Sequence, residues 1–185
     1  MKSSNAMGHS TTPIDSRHFR NALGAFATGV TVVTTRDVDG GDIGLTASSF
    51  NSVSLEPPLI LWSLARNAAS LPAFMACEHF AVHVLSVAQQ DLSDRFSRKG
   101  ADKFANISVQ RGPAGIPLLA DCTARFICKM TYRYEGGDHI ILVGEVIEFE
   151  HSGQAPLLFH SGKYGRVLPK LASPDTPDAN DDISN

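Results

Sequence analysis

The residues with the clearest capacity for chemistry form a hydroxyl-rich stretch at residues 46–52, Thr-Ala-Ser-Ser-Phe-Asn-Ser. Short hydroxyl groups and exposed backbone N–H groups are the donors that a phosphate needs where a chain has no glycine-rich loop. A polar edge strand would have the same composition, and the stretch alone fits both interpretations equally well. It therefore predicts either an anion site or a solvent-facing strand edge.

Two further segments favour the anion site. Residues 63–67, Ser-Leu-Ala-Arg-Asn, follow an apolar run and lead to Ser70, where a short helix can begin. The N–H groups and the dipole at a helix N-terminus attract negative groups. Arg95 and Lys103 add positive charge from the next helical segment, although either of them alone is more typical of a solvated surface. Together these residues predict a site for a phosphate-bearing ligand.

The chain lacks the residues that several other mechanisms require. The chain has no G-x-G-x-x-G, G-x-x-x-x-G-K-[ST] or G-x-S-x-G motif, which argues against a Rossmann site, a P-loop and a serine hydrolase. Asp138 and His139 look like half of a catalytic triad, but adjacent side chains on a strand point to opposite faces. His79 and His83 would share a strand face, yet without a third ligand they indicate ordinary imidazoles. We expect neither a metal site nor hydrolysis.

The composition indicates one globular domain. The chain has 185 residues and 19.8 kDa, with 43% hydrophobic and 19% charged residues. A net charge of −3 provides no positive field for nucleic acid, and no apolar run approaches the roughly 20 residues of a membrane helix. The three cysteines form no C-x-x-C pair, and residues 1–10 lack the apolar core of a secretory signal. We therefore expect reduced thiols in a cytoplasmic protein.

Hydrophobic periodicity predicts a β-rich fold. Asp15-Ser16 followed by Phe19, Leu23 and Phe26 indicates a short amphipathic helix. A long hairpin is indicated by alternating side chains that end in a Glu-Gly-Gly-Asp turn. The predicted strands span residues 30–35, 43–53, 59–64, 80–85, 123–134, 139–150 and 157–160, with short helices near 71–75 and 89–96 and a loop at 161–165. Many strands with few helices favour a closed or nearly closed antiparallel barrel.

The chain divides into three predicted regions. Residues 1–14 form a polar arm that is disordered or left over from expression, and residues 15–168 form the barrel domain. Residues 169–185 contain prolines and aspartates with few large apolar side chains, which is typical of a disordered tail. We find no internal repeat.

Five segments occur in the order that is typical of the flavin reductase-like family. They are residues 29–35, 46–59, 102–104 (Asp-Lys-Phe), 136–139 (Gly-Gly-Asp-His) and 156–159 (Pro-Leu-Leu-Phe). The resemblance spans about residues 19–167. The chain resembles a short-chain NAD(P)H:flavin oxidoreductase, the reductase component that supplies reduced flavin to a two-component monooxygenase.

This resemblance implies a mainly β, antiparallel split β-barrel with short flanking α-helices. It implies FMN or FAD as the flavin, NADH or NADPH as the hydride donor, and a homodimer with each flavin near the interface. His139 would act on the nicotinamide as the catalytic residue. By matching position, the cofactor-binding residues would be Thr46, Ala47, Ser48, Ser49, Ser63, Leu64, Ala65, Ser70, Arg95, Phe96, Lys103, His160, Ser161 and Lys163. Ser48 and His83 stand where asparagine is common in relatives, which leaves the choice of flavin open.

Alternatives stay open at this stage. A split-barrel oxidase or electron carrier would retain FMN, and a non-catalytic barrel would hold a small apolar or haem-like ligand among Phe126, Tyr132 and Tyr134. His139 is equally compatible with a role as the end of a hairpin turn. The lack of an acid–base pair is expected for a flavin reductase, because the cofactors carry the hydride chemistry.

Overall fold

A seven-stranded antiparallel sheet dominates the computed structural model, which describes residues 14–100 and 102–168. Its strands are β2 (Thr31–Arg36), β3 (Asp42–Ala47), β4 (Asn51–Leu55), β5 (Pro58–Ala65), β6 (His79–Val84), β9 (Ala124–Gly136) and β10 (His139–His151). They lie in the order β3-β2-β6-β9-β10-β5-β4. The predicted mainly β, antiparallel fold is confirmed. The predicted tail and all of the predicted arm except Ile14 lie outside the described residues.

Smaller elements complete the fold. The strands β1 (Thr28–Gly29), β11 (Leu157–His160) and β12 (Lys163–Arg166) form a three-stranded sheet, and β7 (Gln110–Arg111) pairs with β8 (Pro117–Leu118). The helices are α1 (Ser16–Leu23), α2 (Leu71–Ala76) and α3 (Gln90–Ser97), and 3₁₀ turns span Val87–Gln89 and Pro113–Gly115. None of the helices within the described residues is long and apolar enough to cross a membrane.

The core lies where alternate residues of the strands meet. On β5, Ile60, Trp62 and Leu64 are buried, and the Trp62 ring meets the Phe74 ring edge to face at 4.9 Å. The residues that alternate with them, including Ser63 and Ala65, are only partly buried, because successive side chains of a strand point to opposite faces. Strand β5 therefore anchors one face in the core and leaves the other face partly accessible.

Two boundary predictions are wrong. Residues 43–53 form two strands instead of one, because the chain leaves β3 after Ala47 and pairs again only at Asn51. Residues 161–165 are not a loop, because Ser161 and Gly162 both have positive φ and form a two-residue hairpin turn that leads into β12. Such turns match the twist of the paired strands, and a glycine in the second position is a signal for them.

The first helix begins where predicted but ends at Leu23, before Phe26 of the predicted pattern, and it buries none of its side chains. The Asp15 carboxylate accepts hydrogen bonds from the backbone N–H groups of Arg17 and His18, at 2.8 and 2.9 Å, which confirms the predicted cap. Phe19 and Leu23 are 51% and 59% exposed. The amphipathic face of α1 is thus turned away from the core of its own chain.

His83 is a fully buried imidazole with both ring nitrogens hydrogen-bonded. Its Nδ1 lies 3.0 Å from the carbonyl oxygen of Val32, and its Nε2 accepts the backbone N–H of Leu119 at 3.0 Å. This pattern requires the neutral ring with its proton on Nδ1. Burial lowers the pKa of His83 to about 4, and the ring links β2 and β6 to the chain at residue 119.

We expect His83 to make the fold sensitive to acid. Below pH 6.5 His83 binds a proton in the unfolded chain, whereas in the folded chain it does so only near pH 4. The free energy of unfolding therefore decreases as the pH falls from 6.5 to about 4. The loss should reach about 3 kcal/mol. Urea unfolding at several pH values should show a steeper acid loss than in a His83→Asn variant, whose amide can donate and accept without titrating. Equal slopes in the two proteins would contradict the assignment.

Candidate functional site

Two adjoining cavities open beside the end of β3. The hairpin cavity, of about 590 Å³, lies next to the β9–β10 turn and is lined by Leu45, Thr46, Ala47, Ser48, Ser49, Ser63, Leu64, Ala65, Ala68, Gly136, His139 and Ile141. The basic cavity, of about 600 Å³, is lined by residues that include Asn67, Ser70, Arg98, Lys99 and Lys103. Leu45, Thr46 and Ala68 line both cavities, so the two cavities adjoin, and we call them together the groove.

Residues 46–49 of the hydroxyl-rich stretch line this groove, and two of their three hydroxyl groups are used within the fold. Thr46 donates to the carbonyl oxygen of Ser93 at 2.7 Å, which ties β3 to α3. The Ser49 hydroxyl donates to the carbonyl oxygen of Ser63 at 3.1 Å and accepts the N–H of Ser63 at 2.9 Å. Ser48 is exposed, and its hydroxyl bonds to no other group of the described chain. Of these three hydroxyls, that of Ser48 is the one left for a ligand.

The end of the β5–β10 ladder continues this wall, because Ser63 of β5 is the residue to which Ser49 bonds. Ala65 pairs with His139, the first residue of β10, so that Ser63, Ala65 and His139 lie beside one another. His139 is partly exposed, and its Nδ1 lies 2.7 Å from Oδ1 of Asp138. This hydrogen bond holds the pKa of Asp138 below its usual value. It leaves Nε2 of His139 without a partner among the described residues.

The expectation that Asp138 and His139 point apart is wrong. Strand β10 begins at His139, so Asp138 belongs to the turn and does not follow the alternation of a strand. The preceding Gly137 has a φ of +71°, a conformation that glycine adopts easily. The turn therefore brings the carboxylate of Asp138 back onto its neighbour.

The basic cavity depends on a close approach that only a glycine permits. A Cβ atom on Gly44 would lie 2.5 Å from the buried ring of Phe96, which itself packs edge-on against Phe104. Lys103 spans this contact, since its Nζ donates to the carbonyl oxygens of Gly44 and Phe96 at 3.0 and 2.9 Å. Partial burial lowers the pKa of Lys103. Lys103 thus joins α3 to β3 and keeps one N–H for another acceptor.

The other charges around the basic cavity favour an anion. Arg98 and Lys99 are exposed at its rim. The carboxylate of Asp42 is already paired with Arg111, whose Nη2 lies 3.0 Å from Oδ2. The Asp102 carboxylate accepts the backbone N–H of Phe104 at 3.2 Å. The positive charges at this end therefore exceed the negative charges that remain unpaired.

The structure leaves part of the predicted set outside the groove. Arg95 lines neither cavity, and its guanidinium donates to the carbonyl oxygen of Ala105 at 2.8 Å. Phe96 belongs to the wall of the basic cavity, but its side chain is fully buried. His160, Ser161 and Lys163 lie at the β11–β12 turn, where the N–H of Ser161 bonds to the carbonyl oxygen of Gly24. This turn lines neither cavity of the single chain.

Ser70 stands before α2 as predicted but does not cap it through its side chain. Ser70 lines the basic cavity. Asn67, the last residue of the predicted segment 63–67, lines this cavity as well, whereas sequence reasoning missed Ala68, Arg98 and Lys99. The last two had a usable signal, since an Arg-Lys-Gly sequence directly follows the predicted helix.

Comparison with known proteins agrees with this geometry. Residues 23–168 match the model of the flavin reductase like domain family. The chain belongs to this family. The resemblance found in the sequence is confirmed, and the match covers the whole groove and the sheet that supports it.

Individual relatives carry related functions. The chain is 48% identical over 152 residues to the FMN reductase (NADH) SmoA of Agrobacterium fabrum strain C58, covering 82% of this chain and 86% of that protein. It is 45% identical over 150 residues to the stachydrine N-demethylase reductase subunit Stc3 of Rhizobium meliloti strain 1021, covering 81% of this chain and 65% of Stc3. Some other curated relatives are longer, and the chain spans about half of their length.

Among solved structures, the chain is similar to the NADH:FAD oxidoreductase SgcE6 of Streptomyces globisporus C-1027, determined in complex with NAD and FAD fragments. The two share 37% identity and superpose with a TM-score of 0.80, over 84% of this chain and 94% of SgcE6. The family, the mainly β fold and an oxidoreductase class are therefore consistent with one another.

Proposed function

We propose that the chain is a flavin reductase that transfers a hydride from NADH or NADPH to FMN or FAD and releases the reduced flavin to a partner monooxygenase. The observation that carries this proposal is the pair of adjoining cavities, one lined by His139 and the other by Arg98, Lys99 and Lys103. Membership of the flavin reductase-like family and the names of SmoA and Stc3 support the hydride donor and the partner.

The groove fits a flavin nucleotide in size and in polarity. Each cavity lies within the roughly 300–1,000 Å³ of a typical ligand site. The hairpin cavity offers the aliphatic side chains of Leu45, Ala47 and Ile141 to a flat ring, with the Ser48 hydroxyl beside them. The basic cavity offers Ser70 and three cationic side chains to a phosphate. In this arrangement the ring lies near His139 and the phosphate lies near Lys103.

The chain contributes position rather than acid–base chemistry. When flavin and dihydronicotinamide are both bound, a hydride passes from the nicotinamide to the flavin ring. The strand ends of β3 and β5 form a fixed wall because the Ser49 hydroxyl bonds to both backbone groups of Ser63. Nε2 of His139 is free to contact the nicotinamide nucleotide, since Nδ1 is held by Asp138. His139 therefore orients the hydride donor.

The remaining predicted residues have different proposed roles. Thr46, Ser63, Leu64 and Ala65 shape the wall beside the ring. Arg95 and Phe96 support the segment that carries Lys103 and do not contact the flavin themselves. An interface that brings the β11–β12 turn of a second copy to the groove would give His160, Ser161 and Lys163 the role that the resemblance implies.

We propose that the chain forms a homodimer through an exposed aromatic row. The rings of Phe50 and Phe126 stack at 5.6 Å, and those of Phe126 and Phe149 stack at 6.4 Å. Phe149 is 68% exposed and Ile147 on the same strand is 49% exposed. Apolar clusters of this kind on a surface mark protein interfaces.

Light scattering should give the purified chain twice its monomer mass of 19.8 kDa. A Phe149→Asp variant should give 19.8 kDa, because a charge within the row opposes burial. A monomeric parent protein would refute the homodimer, and a dimeric variant would place the interface elsewhere on the surface.

The proposed setting is the cytoplasm, where NADH and NADPH are supplied and thiols stay reduced. Cys77, Cys122 and Cys128 are free thiols, and burial raises the pKa of Cys128 to about 12, which keeps it unreactive. The partners we propose are nucleotides and a monooxygenase. A nucleic-acid partner is not proposed, since the net charge is −3.

The function is tested by NADH oxidation with FMN, FAD and riboflavin offered in parallel. We expect repeated cycles in which NADH bleaches a molar excess of added flavin under anaerobic conditions and air restores its colour. A protein that retains one equivalent of FMN and turns over no added flavin would be an oxidase or electron carrier. If the protein bound no flavin, the remaining interpretation would be the non-catalytic barrel that binds a small ligand. Either of these results would overturn the proposal.

The proposed orientation predicts a selective effect of Ser70→Asp. A carboxylate at this position faces the phosphate end of the groove, so FMN affinity should fall by about 10- to 100-fold through like-charge repulsion. Riboflavin has no phosphate, and its affinity should stay within about twofold. Asp and Asn are both compatible with the residue before a helix, so Ser70→Asn serves as the neutral control. Fluorescence titration of both flavins measures the effect, and equal losses for FMN and riboflavin would contradict the orientation.

A further inference from the structure

Arg66 makes a set of contacts that neither the flavin site nor the sheet requires. It follows directly after β5, and its backbone N–H donates to the carbonyl oxygen of Asp138 at 2.9 Å. Its side-chain Nε donates to the carbonyl oxygen of Gly137 at 2.8 Å, across 71 residues of sequence. Its guanidinium also forms an ion pair with Glu135. One residue thus contacts three of the four residues from 135 to 138, which form and flank the β9–β10 turn.

These contacts lie where the regular pairing stops. The β5–β10 ladder ends with Ala65 opposite His139, and the turn extends beyond it. Gly137 adopts a positive φ, so the turn has a specific conformation that the ladder does not impose. Among the described residues, hydrogen bonds from β5 and the residues that follow it reach this turn only through Arg66.

The conformation of the turn decides the orientation of the imidazole. Asp138 accepts a hydrogen bond from Nδ1 of His139 only because the turn folds its carboxylate back. A hydrogen bond at one ring nitrogen sets the tautomer and leaves the other nitrogen for a ligand. Any change in the peptide between Gly137 and Asp138 would therefore alter the position of Nε2 in the hairpin cavity and whether Nε2 carries a proton.

We propose that Arg66 is a positioning residue that acts through His139, by holding the turn in the conformation that places Asp138 on Nδ1. The proposal rests on the function given above, in which His139 orients the nicotinamide nucleotide. It assigns Arg66 no contact with flavin or nicotinamide.

The hydrogen bond to Gly137 carries this role more than the ion pair does. The side chains of Arg66 and Glu135 are 44% and 77% exposed, and ion pairs at such positions contribute little. The bond from a cationic Nε to a backbone carbonyl is charge-assisted and directional. A lysine can supply the charge but has no Nε–H with this geometry.

A double-mutant cycle between Arg66 and His139 tests the proposal. His139→Ala alone should raise KM for NADH about tenfold, with flavin affinity within about twofold. Arg66→Ala should raise the same KM by a similar factor in the parent protein but should have no further effect in the His139→Ala background. Independent effects that multiply in the double variant would overturn the proposal.

Two matched variants separate the contacts. Arg66→Lys should behave like Arg66→Ala, because it loses the bond to Gly137. Glu135→Gln should keep parental kinetics, since it removes only the exposed ion pair. The reverse pattern, with Glu135→Gln impaired and Arg66→Lys normal, would show that charge pairing rather than turn geometry is the operative contact, and would refute the proposal.

A readout independent of activity is the ¹⁵N spectrum of the His139 imidazole, recorded without any nucleotide. The parent protein should show one tautomer with Nδ1 protonated, and Arg66→Ala should show a mixture of tautomers. An unchanged spectrum in a folded Arg66→Ala protein would contradict the proposal even if the chain were not a flavin reductase. Conversely, the expected spectra without NADH turnover in the parent would refute the proposed function and leave the positioning of His139 by Arg66 intact.

Discussion

The pair of hydrogen bonds between the Ser49 hydroxyl and the backbone of Ser63 is the constraint on which the groove depends. Strands β3 and β4 lie at opposite ends of the sheet order, so the chain leaves one edge of the sheet after Ala47 and joins the other at Asn51. Between them, the Ser49 hydroxyl attaches this connection to β5. The ends of β3 and β5 thereby line the same cavity.

The contact between Gly44 and Phe96 supports the other part of the groove, the basic cavity. Because Gly44 has no side chain, the ring of Phe96 lies directly against β3, and Lys103 reaches across to the carbonyl oxygens of both residues. The cation at this end is thus part of the packing and cannot move away as a surface lysine would. Arg98 and Lys99 at the rim are exposed and add charge without such fixed positions.

Much of this arrangement was predictable from local signals. The β-branched run of β2 and the Gly-Gly-Asp turn each indicated their element, and the matching segments placed Ser48, Ser63 and His139 in one site. The errors arose where long-range contacts override local pattern. After the break at Ala47, Ser49 bonds to a residue 14 positions away, a contact that local pattern does not indicate.

The turn before His139 shows the same limit. Strand alternation does not hold for Asp138, because the hairpin turn places that residue outside the strand. Arg66, which contacts the turn at Gly137, lies 71 positions earlier in the chain. Charge and matching position both indicate Arg95, but its Nη1 bonds to the carbonyl oxygen of Ala105 and the residue lines neither cavity. Charge and spacing identify candidates, and only the competing partners within the fold decide which of them remain available to a ligand.

The walls around the hairpin cavity consist of strand ends, one loop and one tight turn, and Ser49, Thr46 and Asp138 each tie a part of them through a hydrogen bond. Because these bonds are already formed without a ligand, we expect the cavity to keep its shape when it is filled. Little free energy would then be spent on ordering the described residues around a ligand. The residence time of the ligand would depend chiefly on its contacts with these walls.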